Sequence, residues 1–190
     1  RGGVGLANSR LSIEGPLIRD RTSFLVGGRL SYSDWMLRLV DNPDVRASSV
    51  GFHDLTARLS HKFSDENRLS LTYFRTFDRF RYGRNFGFQW RNESLSLTWN
   101  YILNERLSSG FRAVAGTYDS RQFEILGPDA AELSNQMDFL VLKENIFYQP
   151  RPEVKINTGL EWTRYDPRPE RREPYGDQSV VLPLSIPKDQ

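Results

Sequence analysis

Apolar and polar residues alternate along most of this 190-residue chain, with a period of two rather than the 3.6 of an amphipathic helix. The clearest stretch runs from Phe52 to Phe63, where Asp54, Thr56 and Arg58 alternate with apolar neighbours. A period of two places successive side chains on opposite faces of a β-strand. We therefore predict an all-β chain whose strands have one apolar and one polar face.

The alternation predicts eight strands, and Arg75 is an exception to it because it lies on the apolar side of its strand. A β-bulge or a position at a membrane surface would account for Arg75. The segment Trp35–Val40 fits either a strand end or a short helix, and the adjacent Leu140 and Val141 leave the facing of the seventh strand open. The predicted strands cover residues 5–14, 22–32, 52–63, 68–81, 93–101, 107–118, 136–148 and 155–165.

Four short polar turns separate pairs of these strands at intervals of 40 to 46 residues, beginning at positions 19, 64, 104 and 150. Such an interval holds two long strands, one tight turn and one longer connection. Short connections at one edge and long ones at the other are typical of a transmembrane β-barrel. Residues 1–165 are therefore predicted to be up-and-down transmembrane strands. Residues 166–190 are predicted to be a Pro-rich extracellular loop, because their five prolines exclude a central strand.

Composition narrows the function classes. The apolar runs are far shorter than the roughly 20 residues of a membrane-spanning helix, so a helical membrane protein is excluded. The absence of cysteine removes disulfides, thiolate catalysis and cysteine metal sites. The net charge of +2 gives no reason to expect nucleic-acid binding, although 22 of the 26 cationic residues are arginine.

Aromatic residues concentrate near the predicted strand ends. Two such bands, one strand length apart, match the aromatic girdles of a barrel at the two membrane surfaces, although aromatic residues also favour strands in general. The band beside the short turns contains Phe63 and Tyr101, and the band beside the long connections contains Tyr32, Trp35, Phe80 and Tyr165.

The first hairpin resembles the early barrel strands of TonB-dependent outer-membrane receptors, in the subtype that carries a carboxypeptidase-regulatory-like domain ahead of its plug. The resemblance rests on the run Leu-Ser-Ile-Glu-Gly-Pro at residues 11–16, followed by a short charged turn, Ser23-Phe24 and an arginine-bearing strand. The segments 54–59 and 63–69 resemble the hairpin that follows in that family. The likeness covers residues 5 to 120 best, and only the general pattern continues beyond them.

This resemblance implies a transmembrane β-barrel segment of about eight strands from a larger barrel, usually of about 22 strands around a plug. It implies energy-coupled import of a metal chelate, glycan or peptide across a bacterial cell outer membrane. The implied partners are outer-membrane lipids and, through a plug that is not in this sequence, the inner-membrane energy-coupling protein. A surface lipoprotein partner stays open. If the short turns face the periplasm, both chain ends lie outside, which predicts a piece of a larger barrel.

Two other function classes stay open from the sequence. One is a non-transporting structural or adhesive outer-membrane barrel, and the other is a soluble all-β module that binds carbohydrate or nucleic acid. A soluble module should remain monomeric in water without detergent, whereas the apolar outer face of a barrel should aggregate.

Candidate site residues are charged side chains that alternation places on the polar, lumen-facing side of the strands. No nucleophile with a neighbouring base is recognisable, so we predict no enzyme activity, and we predict no cofactor and no metal. His53 and His61 share a face but lie roughly 27 Å apart at the strand rise, too far to share a metal. The lumen-facing candidates are Arg10, Glu14, Arg29, Asp54, Arg58, Asp78 and Glu161, with Asp138 and Arg112 as further members.

Residues 73–92 interleave arginine with aromatic residues. Arginine beside aromatic rings could clamp single-stranded nucleic acid. The preferred interpretation is the outer rim of a hairpin, with rings at the membrane interface and arginines meeting anionic lipid headgroups.

Overall fold

A computed structural model of the protein describes residues 1–124 and 127–185, and its main feature is one antiparallel sheet. Ten strands follow one another in the sheet in sequence order. They are β1 (Gly2–Val4), β2 (Asn8–Ile18), β3 (Thr22–Ser31), β4 (Ser49–Lys62), β5 (Asn67–Tyr82), β6 (Phe86–Asn104), β7 (Leu107–Glu124), β8 (Ala131–Arg151), β9 (Val154–Pro174) and β10 (Leu184–Ser185).

The predicted antiparallel all-β fold is confirmed, and so is the number of long strands. β2 to β9 are the eight predicted strands, and the four polar turns join β2–β3, β4–β5, β6–β7 and β8–β9 at one edge. Among the described residues β1 does not pair with β10, so the sheet is open. In the β4–β5 turn, a hydrogen bond from Lys62 and its positive charge lower the pKa of Asp65.

The connection between β3 and β4 contains two short helices, α1 (Asp34–Leu37) and α2 (Pro43–Arg46). The open question at Trp35 is thus decided in favour of a helix. Asn42 caps α2, since its side chain accepts hydrogen bonds from the backbone N–H groups of Asp44 and Val45. The indole N–H of Trp35 donates to the carbonyl of Leu6 at 3.0 Å, which ties the connection to the start of β2.

The connection between β5 and β6 is much shorter than the long outer loop that we predicted. Both strands continue up to a turn of three residues, 83–85, in which Gly83 has a φ of +52°. The backbone N–H of Asn85 donates to the carbonyl of Tyr82 at 3.1 Å. The prediction was wrong here because period two persists through residues 73–92, which is a strand signal and not a loop signal.

The predicted loop after Asp166 is also wrong in its first part. β9 continues through Pro167 and ends at Pro174, paired with β8 throughout. On its other side, among the described residues, β9 pairs only with β10, at Arg171 and Arg172. Proline is tolerated there because an edge strand needs no N–H on its free side. Residues 175–183 are irregular as predicted, and residues 186–190 lie outside the described part.

Two glycines lie beneath aromatic rings of the neighbouring strand. A Cβ at Gly116 would come within 2.5 Å of the Phe139 ring and 2.6 Å of the carbonyl oxygen of Glu93. A Cβ at Gly87 would come within 2.5 Å of the Phe123 ring, which also stacks on Tyr175. The rings cover backbone that carries no side chain, a device that fixes strand register.

We predict that Gly116→Ala destabilises the intact protein, because the new methyl must displace the Phe139 ring and press on a backbone carbonyl. Overpacking of this kind costs about 1–3 kcal/mol of unfolding free energy. Gly110→Ala is the matched control on the same face of β7, where a Cβ would meet only Asn100 Oδ1 at 3.4 Å. Urea titration in detergent micelles, followed by tryptophan fluorescence, measures both. Equal loss in the two variants would contradict this role of Phe139.

Candidate functional site

One face of the sheet, here called the apolar face, carries apolar side chains from every long strand. Residues directly opposite each other on paired strands share a face, so a row of partners can be followed across the sheet. No register shift interrupts the pairing between β5 and β6 or between β7 and β8 within these rows. One row joins Phe24, Leu59, Leu71, Leu97, Ala113, Leu142 and Trp162, and the next joins Ile13, Val26, Ala57, Tyr73, Leu95, Ala115 and Leu140.

The apolar face is exposed. Leu95 is 48% exposed, Trp99 45% and Leu160 76%. Among the described residues only Phe123, Ala130 and Ala131 are buried hydrophobic residues, and they lie together at one end of the sheet. Covering a large apolar side chain is worth about 1.5–3 kcal/mol, so contact with an apolar partner would stabilise this face.

Measured along the strands, the apolar face is about as long as a strand that crosses a bilayer. On β8 it runs from Leu140 to Tyr148, and on β6 from Leu95 to Leu103. Each stretch is nine residues long, the length that a tilted transmembrane strand needs. Glu144 interrupts the stretch on β8, and Ser109 Oγ donates a hydrogen bond to its carboxylate at 2.5 Å.

Aromatic residues border the apolar face beside the short turns, in agreement with the predicted band at that edge. Trp99 and Tyr101 lie on this face, and the indole N–H of Trp99 donates to Asn67 Oδ1 at 2.7 Å. Phe63 contacts His61 edge-on at 4.5 Å between ring centroids. His61 and His53 share the apolar face as predicted, and His53 stacks on Phe77.

The reverse of the sheet, here called the polar face, carries all seven predicted lumen-facing residues and Arg112. Arg10 lies opposite Arg29, Glu14 opposite Leu25, and Asp78 opposite Trp90. The same rows place Asp54, Arg58 and Glu161 on this side. That these residues share one face follows from the odd or even position of each along its strand.

Several of these polar-face residues are paired with each other or with neighbours. Arg29 contacts Asp54 Oδ2 through both Nε and Nη2 at 2.8 Å, and its guanidinium lies 4.6 Å above the Phe52 ring. Lys143 Nζ lies 2.9 Å from Glu161. Opposite charges thus lie beside each other on the polar face.

Ser70 is the described polar residue most completely buried, at 2% exposure. Its hydroxyl lies 3.0 Å from that of Ser60 and accepts a hydrogen bond from Arg58 at 3.3 Å. Ser70 is thus shielded on the polar face, whereas Leu95, Trp99 and Leu160 stay exposed on the apolar face.

Asp138 lies on a different face from the one predicted, and one of the two explanations given for Arg75 is wrong. Asp138 was a further lumen candidate, but β8 pairs it opposite Thr117, on the apolar face, where Thr117 Oγ1 donates to it at 2.8 Å. The error arose because both faces of β8 hold apolar residues and the sequence did not fix its parity. Arg75 does lie on the apolar face opposite Glu93, and β5 has no bulge there, so the bulge explanation is wrong.

Two members of the aromatic band predicted beside the long connections are not on the apolar face. Phe80 lies opposite Phe88, and Tyr165 opposite Phe139, both on the polar face. Sequence reasoning therefore missed a group of five rings on the polar face at the far end of β5 and β6. Following every second residue of β5 from Thr76 onward would have found this group. The group, here called the inner aromatic group, comprises Phe80, Tyr82, Phe86, Phe88 and Trp90.

The inner aromatic group is closely packed. Phe88 and Trp90 stack with centroids 5.7 Å apart and planes 4° from parallel, and Tyr82 stacks on Phe86 at 5.7 Å. The interleaved Arg79, Arg81 and Arg91 lie on the opposite face. A nucleic-acid clamp needs rings and arginines on one surface, so this arrangement does not supply one. The placement of these rings at a membrane interface stays a prediction.

No match to a protein-family model, a curated protein or a solved structure was found for this chain. Within residues 1–124 and 127–185, no group of three or more His, Cys, Asp or Glu residues is placed to hold a metal ion. No helix in that part of the chain is long and apolar enough to cross a membrane.

We predict that Ser70→Ala lowers the unfolding free energy of the intact protein by roughly 1 kcal/mol, because Ser60 and Arg58 lose a buried partner. Ser96→Ala on the same face of β6 is the control, since no side-chain hydrogen bond of Ser96 is described. Chemical denaturation in micelles measures both variants. If Ser96→Ala is as destabilising as Ser70→Ala, the hydroxyl cluster does not stabilise the sheet.

Proposed function

We propose that this chain forms part of the barrel wall of a TonB-dependent transporter in a bacterial outer membrane. The observation that carries the proposal is the exposed apolar face, backed by a polar face that carries charged side chains. In a barrel wall the first contacts hydrocarbon and the second contacts a polar interior. The hairpin resemblance at residues 11–29 points to this family among outer-membrane barrels.

The open edges of the sheet support a larger assembly. β9 has a free side along Val154–Glu170, apart from any strand outside the described part, and β1 covers only three residues of β2. Hydrocarbon offers no hydrogen-bond partner to an unpaired strand edge, so membrane sheets close into barrels. Further strands beside β2 and β9 would close this one.

In such a wall, the polar face and the far ends of the strands would have different roles. The polar face, with Arg29–Asp54 and Lys143–Glu161, would line the lumen and contact a plug. β6 to β9 continue well past the apolar stretch, so their far ends would stand above the membrane and contribute to capture of a scarce nutrient. Energy would come through the inner-membrane coupling protein by way of the plug.

The membrane arrangement is tested with neighbouring positions on β6, Leu97→Cys and Ser96→Cys, each carrying a nitroxide spin label in the intact protein in vesicles. We expect the label at 97 to collide with dissolved oxygen, which concentrates in hydrocarbon, and to be shielded from a water-soluble nickel chelate. The label at position 96 should collide with oxygen only rarely, unlike a label in hydrocarbon. Water-like behaviour at both positions would contradict a membrane wall and favour a soluble module.

Transport is tested in cells by comparing a strain without this protein with a strain without the energy-coupling protein. We expect uptake of the same nutrient, screened among metal chelates, glycans and peptides supplied at growth-limiting levels, to be lost in both strains. An envelope or adhesion defect with unchanged uptake would instead support a structural or adhesive barrel. The two results separate the proposed function from its principal alternative.

A further inference from the structure

Four aromatic rings surround the carboxylate of Asp78 on the polar face. Asp78 lies directly opposite Phe52 on β4 and Trp90 on β6. Phe80 follows Asp78 on the same face of β5, and Phe88, opposite Phe80, is the diagonal neighbour of Asp78 on β6. Directly opposite residues have Cβ atoms about 4.5–5.5 Å apart, and diagonal neighbours lie about 7–8 Å apart. All four rings are therefore within side-chain reach of one carboxylate.

The Asp78 carboxylate has no cation partner in the described part of the chain. It accepts a hydrogen bond from Thr76 Oγ1 at 3.3 Å, and no ion pair of Asp78 exists among the described residues. At the height of the rings, the described polar face of β4 to β7 carries neither lysine nor arginine. The arginines that interleave with the rings lie on the other face of the sheet. The polar face is therefore negative at this place.

The neighbouring carboxylate shows how this face holds a cation. Asp54 is a diagonal neighbour of Asp78 on β4, and it lies directly opposite Arg29. Arg29 contacts Asp54 Oδ2 at 2.8 Å, and its guanidinium lies 4.6 Å from the centroid of the Phe52 ring. A carboxylate and a ring thus hold a guanidinium between β3 and β4. Asp78 has the same two kinds of group around it without the cation.

The rings and the carboxylate stay accessible from the polar side. Trp90 is 36% exposed, and Asp78, Phe80 and Phe88 are half-buried. The face of an aromatic ring carries partial negative charge and attracts a cation within about 6 Å of its centroid. A cation beside Asp78 would therefore interact with the carboxylate and with ring faces together.

The charge of this site discriminates among classes of ligand. An anionic chelate would meet the Asp78 carboxylate with no cation beside it, which Coulomb repulsion disfavours. A neutral glycan could donate hydroxyl groups to Asp78 but would leave its charge uncompensated. Ammonium and guanidinium groups satisfy both the carboxylate and the ring faces. The main chain of a peptide cannot add to β5 or β6 as a further strand, because both edges of each strand are paired.

We propose that Asp78 and the four rings around it bind an organic cation, namely an ammonium or guanidinium group of the imported nutrient. This inference rests on the proposed function, because a lumen-facing site at the far ends of the strands would lie on the path of an imported molecule. Basic peptides and polyamines both carry this chemistry. The experiment below distinguishes these two sources.

The test measures binding to the intact protein in detergent micelles by isothermal titration calorimetry. The probes are an oligolysine peptide, the same peptide with acetylated lysines, spermine, a maltose oligosaccharide and ferric citrate. We expect oligolysine or spermine to bind and the three uncharged or anionic probes not to bind. Asp78→Asn should weaken this binding at least about tenfold, because the charge is lost while the shape is kept. Asp119→Asn on the other face is the control, with an expected change within about twofold.

A second set of variants tests the rings. Trp90→Leu keeps apolar bulk but removes the ring face, and we expect it to weaken binding of the cation roughly fivefold. Trp90→Phe keeps a ring and should bind within about twofold of the unmodified protein. Trp99→Leu is the control on the same strand, since Trp99 lies on the apolar face. Equal binding by Trp90→Leu and Trp99→Leu would overturn the role of the rings.

The remaining outcomes separate this inference from the proposed function. Tighter binding of oligolysine than of spermine assigns the site to a basic peptide, and the reverse assigns it to a polyamine. Equal binding of the acetylated peptide, equal loss in Asp78→Asn and Asp119→Asn, or no binding of either cation would overturn the inference. If the cation binds through Asp78 but its uptake is independent of the energy-coupling protein, the site stands and the transport proposal fails. Coupled uptake of a nutrient without a cationic group, which oligolysine does not inhibit, would leave transport standing and contradict this site.

Discussion

Cross-strand register is the constraint on which both surfaces of this protein depend. The β5–β6 pairing runs from Asn67–Tyr101 to Tyr82–Phe86 without a shift, and the β7–β8 pairing is equally regular. The shifts that do occur lie near turns or in the outer part of β8 and β9. Because the side-chain period of a strand is two, a slip of one residue would exchange the two faces completely. Glycines beneath Phe139 and Phe123 help to hold this register.

The sequence predicted the parts of the fold that depend on parity alone. Alternation in β2, β3, β4 and β6 was enough to assign the apolar face and to place Arg29, Asp54 and Arg58 together on the other. It was not enough on β8, where adjacent Leu140 and Val141 left the facing open and Asp138 was assigned wrongly. Strand ends were missed where familiar loop signals, such as the prolines of β9, occur on an edge strand that tolerates them. Distances such as that between Tyr82 on β5 and Phe86 on β6 depend on register and could not be read from one strand.

The burial pattern supports the proposed membrane environment of this sheet. A water-soluble sheet protects its large apolar side chains and leaves its hydroxyl groups outside, whereas here Ser70 is shielded and Leu160 is exposed. The free energy of such a sheet in water would lack the hydrophobic term that normally offsets chain entropy. Hydrocarbon changes this balance, because apolar side chains then meet a solvent of their own kind. Backbone hydrogen bonding between strands becomes the stronger constraint, since no water competes for it.

Beyond the apolar stretch the alternation continues, but the chemistry of the two faces is exchanged. On β5 the apolar face changes from Leu69, Leu71 and Tyr73 to arginines, while the polar face changes from Ser70 and Thr72 to aromatic rings. A strand with unbroken periodicity has no internal reason to change in this way, and in the proposed membrane wall the change would reflect different surroundings at different heights. From Asn67 to Arg75 the chain rises about 26 Å along the strand, and less along a tilted barrel axis. That span is close to the roughly 25 Å apolar band of outer-membrane barrels once Arg75 and Trp99 extend toward the two interfaces. The boundary at Arg75 and Glu93 thus supports hydrocarbon on one side of it and headgroups on the other.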